Sequence, residues 1–255
     1  MKKYFLAEKM KYRHTFLFFI LAAMPLASCF FSAVLTGAYF VMDSFNWWYI
    51  ILFPAMTAII CAMIGGKDRK QKNRTIFSLP VNMGKIWDAK ILTAACATAV
   101  ATGILLAGTL IGDMVLTKGL HVTLLYRQAV GMQIAAAFFI WLTSLWQIPL
   151  CLLLSQKFGT FVMFLIHTAV YIALASEVSL QSWFALLPQG ITARLMCVML
   201  KVLPNGLSAL EDPILQTSKI GNVLTVLIGT VSALLWLLLL WVISRRWFQR
   251  QVKKQ

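Results

Sequence analysis

Acidic residues are scarce in this chain of 255 residues, where eight Asp and Glu stand against 23 Lys and Arg. Charged residues of either sign make up 12%, while 60% of the residues are hydrophobic. A soluble domain has about 25% charged residues, so the composition excludes that class and indicates a membrane protein. The net charge of +15 does not predict a nucleic-acid partner, because the cations lie in the breaks between apolar runs.

Motifs for common chemistry are also missing. The five cysteines include no C-x-x-C pair, and the chain has no G-x-x-x-x-G-K-[ST], H-E-x-x-H or G-x-S-x-G. We therefore expect no catalytic residue, no metal ligand and no bound cofactor, and we expect that the chain is not an enzyme. His167 is the one ionisable residue well inside an apolar segment. A neutral imidazole bonded to a neighbouring helix is the favoured interpretation, and a functional role is the alternative.

Six long segments carry almost no charge, and each is long enough to cross a hydrocarbon core of about 30 Å as a helix. None shows the two-residue alternation of a barrel strand, so helices are the expected spanning form. The sequence predicts an all-α membrane protein that forms one domain over residues 1–255. Its six predicted transmembrane helices lie at about 16–41, 46–64, 91–112, 129–154, 159–176 and 220–243.

The cations set the expected orientation. With both termini inside, 18 of the 23 Lys and Arg residues lie on the cytoplasmic side and five lie outside. Because short loops rich in Lys and Arg stay in the cytoplasm, this distribution predicts an N-in, C-in topology.

Two stretches outside the predicted spans are too apolar for free loops. Residues 1–14 mix aromatic and aliphatic side chains with five cations, which predicts an amphipathic helix along the inner headgroups. Residues 182–206 are apolar but interrupted by proline, glycine and cations. This pattern predicts short re-entrant helices in the outer leaflet before the last span.

Small residues recur every four positions in the third and sixth segments, which predicts packing seams within the bundle or between subunits. The three stripes are Ala95-Ala99-Gly103-Ala107, Gly108-Gly112 and Gly221-Thr225-Gly229-Ala233. In the fourth segment, Pro149 predicts a kink near the inner end of the helix.

A basic interruption at residues 65–90 separates the second span from the third, with seven cations and two acids. Cytoplasmic flanking charge explains its first half. Its second half, from residue 77, predicts a turn followed by a short amphipathic helix that enters the third span.

Short motifs along the chain resemble the membrane subunits of ABC-2 type exporters and, among them, the MutE/EpiE family of lantibiotic immunity permeases. The motifs are FNWWY at 45–49, SLPV at 78–81, KIW at 85–87, AKIL at 89–92, LWQIPLC at 145–151, KFG at 157–159, RLMC at 194–197 and LPNGL at 203–207. The resemblance implies a six-helix permease that pairs with a second six-helix permease of similar size and with two copies of an ABC ATP-binding subunit. ATP and Mg²⁺ would bind to that separate subunit.

Such a complex would remove a lantibiotic peptide from the plasma membrane of a bacterium and so give immunity or resistance. By the same resemblance, the loop between spans two and three would hold the helix that docks in the ATPase. The residues that the resemblance assigns to this docking helix are Leu79, Pro80, Val81, Met83, Lys85, Ile86 and Trp87. In the outer segment, Trp183, Arg194 and Asn205 are the candidates for peptide contact.

Two alternatives stay open at this point. A membrane immunity protein that sequesters the peptide without an ATPase would have the same helices and the same outer segment, in contact with membrane lipid. It predicts that protection survives replacement of residues 79–87. A membrane enzyme would need a catalytic pair, which the sequence lacks.

Overall fold

The computed structural model describes residues 1–12, 15–70, 81–209 and 222–252. Within these ranges the chain is helix and loop, apart from an isolated bridge between Val202 and Ser208. The helices are α1 Lys2–Met10, α2 Leu17–Thr36, α3 Phe40–Trp47, α4 Phe53–Lys70, α5 Met83–Met114, α6 Val130–Ser144, α7 Gln147–Phe158, α8 Thr160–Ser179, α9 Pro188–Met199 and α10 Val223–Val252.

Five helical stretches among the described residues are long and apolar enough to cross a membrane. They are Leu17–Arg69, Met83–Gly119, Val130–Phe158, Thr160–Ser179 and Val223–Gln251. The predicted class of an all-α, multi-pass membrane protein is therefore confirmed.

The first of these stretches is 53 residues long and doubles back on itself. A tight turn at Gly37–Tyr39 separates α2 from α3. Two serine hydroxyls of α2 donate to α3 carbonyls across this turn, Ser28 to Ser44 and Ser32 to Phe40, each at 2.6 Å. Because each step back along α2 matches an equal step forward along α3, the two helices form an antiparallel hairpin.

The hairpin packs on α5 through one of the predicted small-residue stripes. A Cβ added at Gly108 would lie 2.9 Å from the Cys29 sulfur, and one at Gly112 would lie 2.3 Å from the Phe40 ring. The other predicted stripe of α5 is packed at Ala95, whose carbonyl accepts from the Trp141 indole, but not at Gly103, where a Cβ would meet no neighbouring atom within 4 Å. At the level of Gly103, only the stripe with Gly108 and Gly112 is therefore an internal seam of α5.

This difference predicts opposite outcomes for two identical substitutions in α5. Gly112→Ala should destabilise the protein by about 1–3 kcal/mol, because the new methyl group overlaps the buried Phe40 ring. Gly103→Ala should be neutral or stabilising by up to about 1 kcal/mol, because alanine favours the helix and the added methyl meets open space. Thermal unfolding of the two variants in the same detergent measures both. Equal effects would contradict the assignment of the seam.

The fourth predicted span is a broken helix. α6 ends at Ser144 and α7 begins at Gln147. Pro149 cannot donate a backbone hydrogen bond to the carbonyl of Leu145, four residues earlier, so the break falls there. The predicted kink exists, but it lies in the middle of the span rather than near its inner end. α7 ends at Phe158 and is followed by Gly159, whose φ of 103° allows a sharp reversal into α8.

α9 is a short helix inside the bundle. Its 12 residues extend about 18 Å, less than the ~30 Å of a hydrocarbon core. It packs against α6, α8 and α10, and most of its side chains are buried. The Thr192 hydroxyl lies 3.0 Å from that of Thr143 and 3.2 Å from that of Ser144. This helix therefore fills the interior at the level of the α6–α7 break.

The turn before α9 also reaches deep along α10. Trp236 donates from its indole N–H to the carbonyl of Leu186 at 3.2 Å, and Ser232 donates to the carbonyl of Ala185. Trp236 lies about 20 Å along α10 from Val223. The predicted stripe of α10 lies here too, and a Cβ at Gly229 would lie 2.5 Å from the Leu195 side chain of α9.

Candidate functional site

The predicted coupling segment begins beside the described residues and continues into α5. Leu79 and Pro80 lie outside the described residues, and Val81 is half-buried. Asn82 precedes the helix, and its side-chain oxygen accepts a hydrogen bond from the backbone N–H of Lys85 at 3.1 Å. This N-cap starts α5 at Met83, and no break separates the segment from the spanning part of the helix.

Only part of this segment is available to a partner. Lys85 is exposed, and Met83 and Ile86 are partly exposed. Trp87 is 0% exposed. Its ring stacks on Phe248 of α10 with centroids 4.7 Å apart, and its indole N–H donates to the Ser244 hydroxyl at 3.0 Å. The structure therefore turns Trp87 into the bundle and away from any docking surface.

Asp88 makes a second contact with α10. Its carboxylate accepts a hydrogen bond from the Trp241 indole at 2.8 Å and forms an ion pair with Arg245 at 3.1 Å. The start of α5 and the end of α10 are thus joined side by side. We call this end of the bundle, which also holds α1 and the last turns of α4, the basal end.

A buried ion network lies at the basal end on the other side of α5. The Lys90 ammonium is 1% exposed and lies 2.8 Å from the carboxylate of Glu8, and it also bonds the carboxylate of Asp68. Glu8 belongs to α1 and is 3% exposed, and Asp68 belongs to α4. One lysine therefore holds three helices together.

Two further side chains complete the network. Lys11 lies 2.9 Å from Glu8 and 3.2 Å from Asp68. The Tyr12 hydroxyl donates to Glu8 at 2.9 Å. Burial works against the charged form of Lys11, but the two carboxylates outweigh it and raise the pKa of this ammonium. Two cations and two carboxylates thus neutralise each other with several hydrogen bonds, as buried charges require.

Sequence reasoning missed this network. The sequence predicts flanking charge in the first half of residues 65–90 and a helix on the headgroups at residues 1–14, whereas the structure ties α1 to α4 and α5. The available signal was the scarcity of acids. Glu8, Asp68 and Asp88 are the three acids predicted inside, and all three form ion pairs.

The outer candidates for peptide contact lie in different environments. Trp183 is 45% exposed. Arg194 is 7% exposed; it donates to the carbonyl of Ser179 at 3.3 Å and lies over the Phe184 ring. Asn205 is exposed, and its side-chain oxygen accepts from the backbone N–H of Leu207 at 3.1 Å. Trp183 and Asn205 are thus accessible to a ligand, while the contacts of Arg194 stabilise the turn before α9.

His167 bonds across helices, as expected. Its Nε2 lies 3.1 Å from the side-chain oxygen of Gln147, and its ring lies 6.3 Å from that of Trp146 and 6.1 Å from that of Tyr171. A cavity of about 70 Å³ is lined by His167 and both of these rings together with Gln189. In the part of the chain that the structure describes, no three His, Cys, Asp or Glu side chains are placed to hold a metal ion.

Comparison with sequence families matches residues 17–249 to the family described as ABC-2 family transporter protein. Neither the search of curated proteins nor the search of solved structures gives a match. The family match begins at α2 and ends near the end of α10, so it includes both partners of the contact between α5 and α10. The chain belongs to the ABC-2 family of transporters and is a multi-pass membrane permease subunit, which in a bacterium lies in the plasma membrane.

Proposed function

We propose that this chain is the permease of an ATP-driven exporter that removes a lantibiotic or related antimicrobial peptide from the membrane. An ABC-2 permease works with an ABC ATP-binding subunit, and we assign ATP and Mg²⁺ to two copies of that subunit. A second six-helix permease of similar size completes the complex. The motif resemblance to lantibiotic immunity permeases supports the peptide substrate.

The proposed topology has six spans with both termini inside. The antiparallel hairpin at Gly37–Tyr39 supports this count, because it divides the 53-residue stretch into two passes. Added to the other four apolar stretches, these passes bring both termini to the same side. The charge distribution supports placing that side, the basal end, in the cytoplasm. In this topology α9 is a re-entrant helix that enters from outside.

The observation that carries the coupling role is the continuity of α5. A 32-residue helix, about 48 Å long, joins the accessible turn at Met83–Ile86 to the opposite end of the bundle. A displacement imposed on Met83, Lys85 or Ile86 would therefore enter the membrane directly. The ion network through Lys90 and the contacts of Trp87 would pass it to α1, α4 and α10.

Charge reversal at Lys85 tests this role. In the complex with the ATP-binding subunit, Lys85→Glu should lower peptide-stimulated ATP hydrolysis by about tenfold, the effect of losing about 1.4 kcal/mol at a docking contact. Lys2→Glu is the matched control, because Lys2 is exposed on α1 and bears the same charge. The unfolding temperature of both variants should stay unchanged. Equal rates of peptide-stimulated ATP hydrolysis in the two variants would contradict the coupling role of Lys85.

The complex itself tests the wider proposal. The tagged chain, purified in mild detergent from cells that also make the neighbouring gene products, should bring down a P-loop ATPase and a second permease. Recovery of the chain alone, together with peptide protection that survives Lys85→Glu, would instead favour sequestration without an ATPase.

A further inference from the structure

A groove with a volume of about 280 Å³ opens between α1, the start of α2 and one face of α5. On α5 it follows the helical repeat from Thr93 through Cys96 and Val100 to Ile104. That face extends about 16 Å, roughly half of a ~30 Å hydrocarbon core. The groove is therefore about one leaflet deep and begins at the basal end.

The lining is mostly apolar, and its two hydroxyls, on Tyr12 and Thr93, already donate to Glu8 and to the carbonyl of Ala89. Aromatic rings of Phe5 and Phe18 form the walls that α1 and α2 contribute. Of the described residues that line the groove, Lys9 alone carries a charge, and it is exposed. The shape thus combines a long apolar slot with one ammonium at the headgroup level.

The charge of Lys9 is not neutralised within the described residues. The one acid of α1, Glu8, forms ion pairs with Lys11 and Lys90. None of the ion pairs in the described ranges includes Lys9. Lys2 and Lys3 are also exposed on this helix, but neither lines the groove. This mouth is complementary to an anion at the membrane surface, where each lysine near an anionic leaflet contributes about 1 kcal/mol.

The apolar walls decide between lipid and peptide as the occupant. A peptide backbone in this slot would bring N–H and C=O groups that the aliphatic and aromatic walls cannot satisfy. A helix satisfies its own backbone, but with its side chains it is about 10–12 Å across, much wider than an acyl chain. An acyl chain has neither problem, because it is narrow and carries no polar group.

We propose that the groove binds one acyl chain of an anionic phospholipid, with the headgroup phosphate on Lys9. On the proposed topology this lipid belongs to the inner leaflet. The lipid then fills the gap between α1 and α5 beside the ion network, so α1 is held to the bundle by both.

Native mass spectrometry of the full chain tests the site with phosphatidylglycerol and phosphatidylcholine of identical acyl chains. The unmodified chain should retain one phosphatidylglycerol in preference to phosphatidylcholine. Lys9→Gln should bind it about fivefold more weakly, the effect of losing about one cation contact. Lys3→Gln is the matched control on the same helix and should bind as the unmodified chain does.

A second variant tests the acyl chain separately from the charge. Val100→Trp fills the slot at an exposed position, so it should abolish the bound lipid without lowering the unfolding temperature. Cys96, which is exposed and lines the groove, gives an independent reading. Its reaction with an apolar maleimide should be slower in nanodiscs of phosphatidylglycerol than in nanodiscs of phosphatidylcholine.

Three outcomes would overturn the site. They are retention of the lipid by Val100→Trp, equal binding of the two lipids, and equal weakening by Lys9→Gln and Lys3→Gln. Each measurement uses the permease without its ATPase, so a failed export assay leaves this test unaffected.

Discussion

Lys90→Met should lower the free energy of unfolding by about 3 kcal/mol, because it leaves the buried carboxylate of Glu8 and the mostly buried carboxylate of Asp68 with Lys11 as their one remaining cation in the described network. Lys11 compensates in part, since its side chain is about one third exposed and contacts both acids. Thermal or denaturant unfolding in detergent, followed by fluorescence or by size-exclusion chromatography, measures the loss.

Two controls separate the network from a general effect of losing a lysine. Lys85→Met, in the same helix but exposed, should change stability by less than about 0.5 kcal/mol. The triple variant Glu8→Gln, Asp68→Asn and Lys90→Met should recover most of the loss, because three charges of the network are removed together and the cation that remains, Lys11, is about one third exposed. A triple variant as unstable as Lys90→Met would contradict the network as the cause.

Trp87→Ala should lower the free energy of unfolding by about 3–5 kcal/mol, the usual cost of removing a fully buried tryptophan. The variant loses the stack on Phe248, the hydrogen bond to Ser244 and the packing of α5 on α10. Trp87→Phe keeps a ring and should lose only about 1 kcal/mol, which reports the hydrogen bond.

Trp183→Ala is the matched control for Trp87→Ala. Its side chain is 45% exposed, so removing it should change the unfolding temperature little. Because Trp183 is also a candidate for peptide contact, peptide protection in cells is measured for the same variant. A loss of protection without a loss of stability would support that contact, whereas equal unfolding temperatures for the two alanine variants would contradict the burial of Trp87.

Much of the fold was predictable, because apolar runs long enough to span a membrane are local in sequence. The segment at 91–112 lies within Met83–Met114, and the segment at 159–176 begins one residue before Thr160–Ser179. The first predicted segment, 16–41, contains α2 and the turn at Gly37–Tyr39, and the second, 46–64, lies in α3–α4, so the chain reverses a few residues earlier than the predicted gap at 42–45. Hydropathy, together with the need to satisfy backbone hydrogen bonds within each segment in lipid, is enough to predict these spans.

The packing of these helices was less predictable. Small-residue stripes occur on two faces of α5, but only the face with Gly112 meets the hairpin. Pro149 predicts a break, but its position depends on the carbonyl four residues earlier, which places it at the centre of the span. Which face of each helix is buried depends on the helix that packs against it, and helical periodicity does not identify that neighbouring helix.

The candidate coupling residues also combine features that local sequence predicts with features that only helix packing decides. Their place between two spans, and the Asn82 cap before Met83, follow from local sequence. The burial of Trp87 does not, because its partner Ser244 lies 157 residues away. The sequence motif KIW at 85–87 therefore contains an accessible lysine and a buried tryptophan, with different expected roles.

By itself, the sequence determined that this chain is an all-α membrane protein without a catalytic motif, because hydrophobicity and helical hydrogen bonding act within each segment. Only the tertiary structure decided which charges form the basal network. Lys90 and Glu8 are 82 residues apart, and their pairing exists because α1 and α5 meet at one place in the bundle. A flanking charge and a buried ion pair look alike in sequence, and only the approach of the helices distinguishes them.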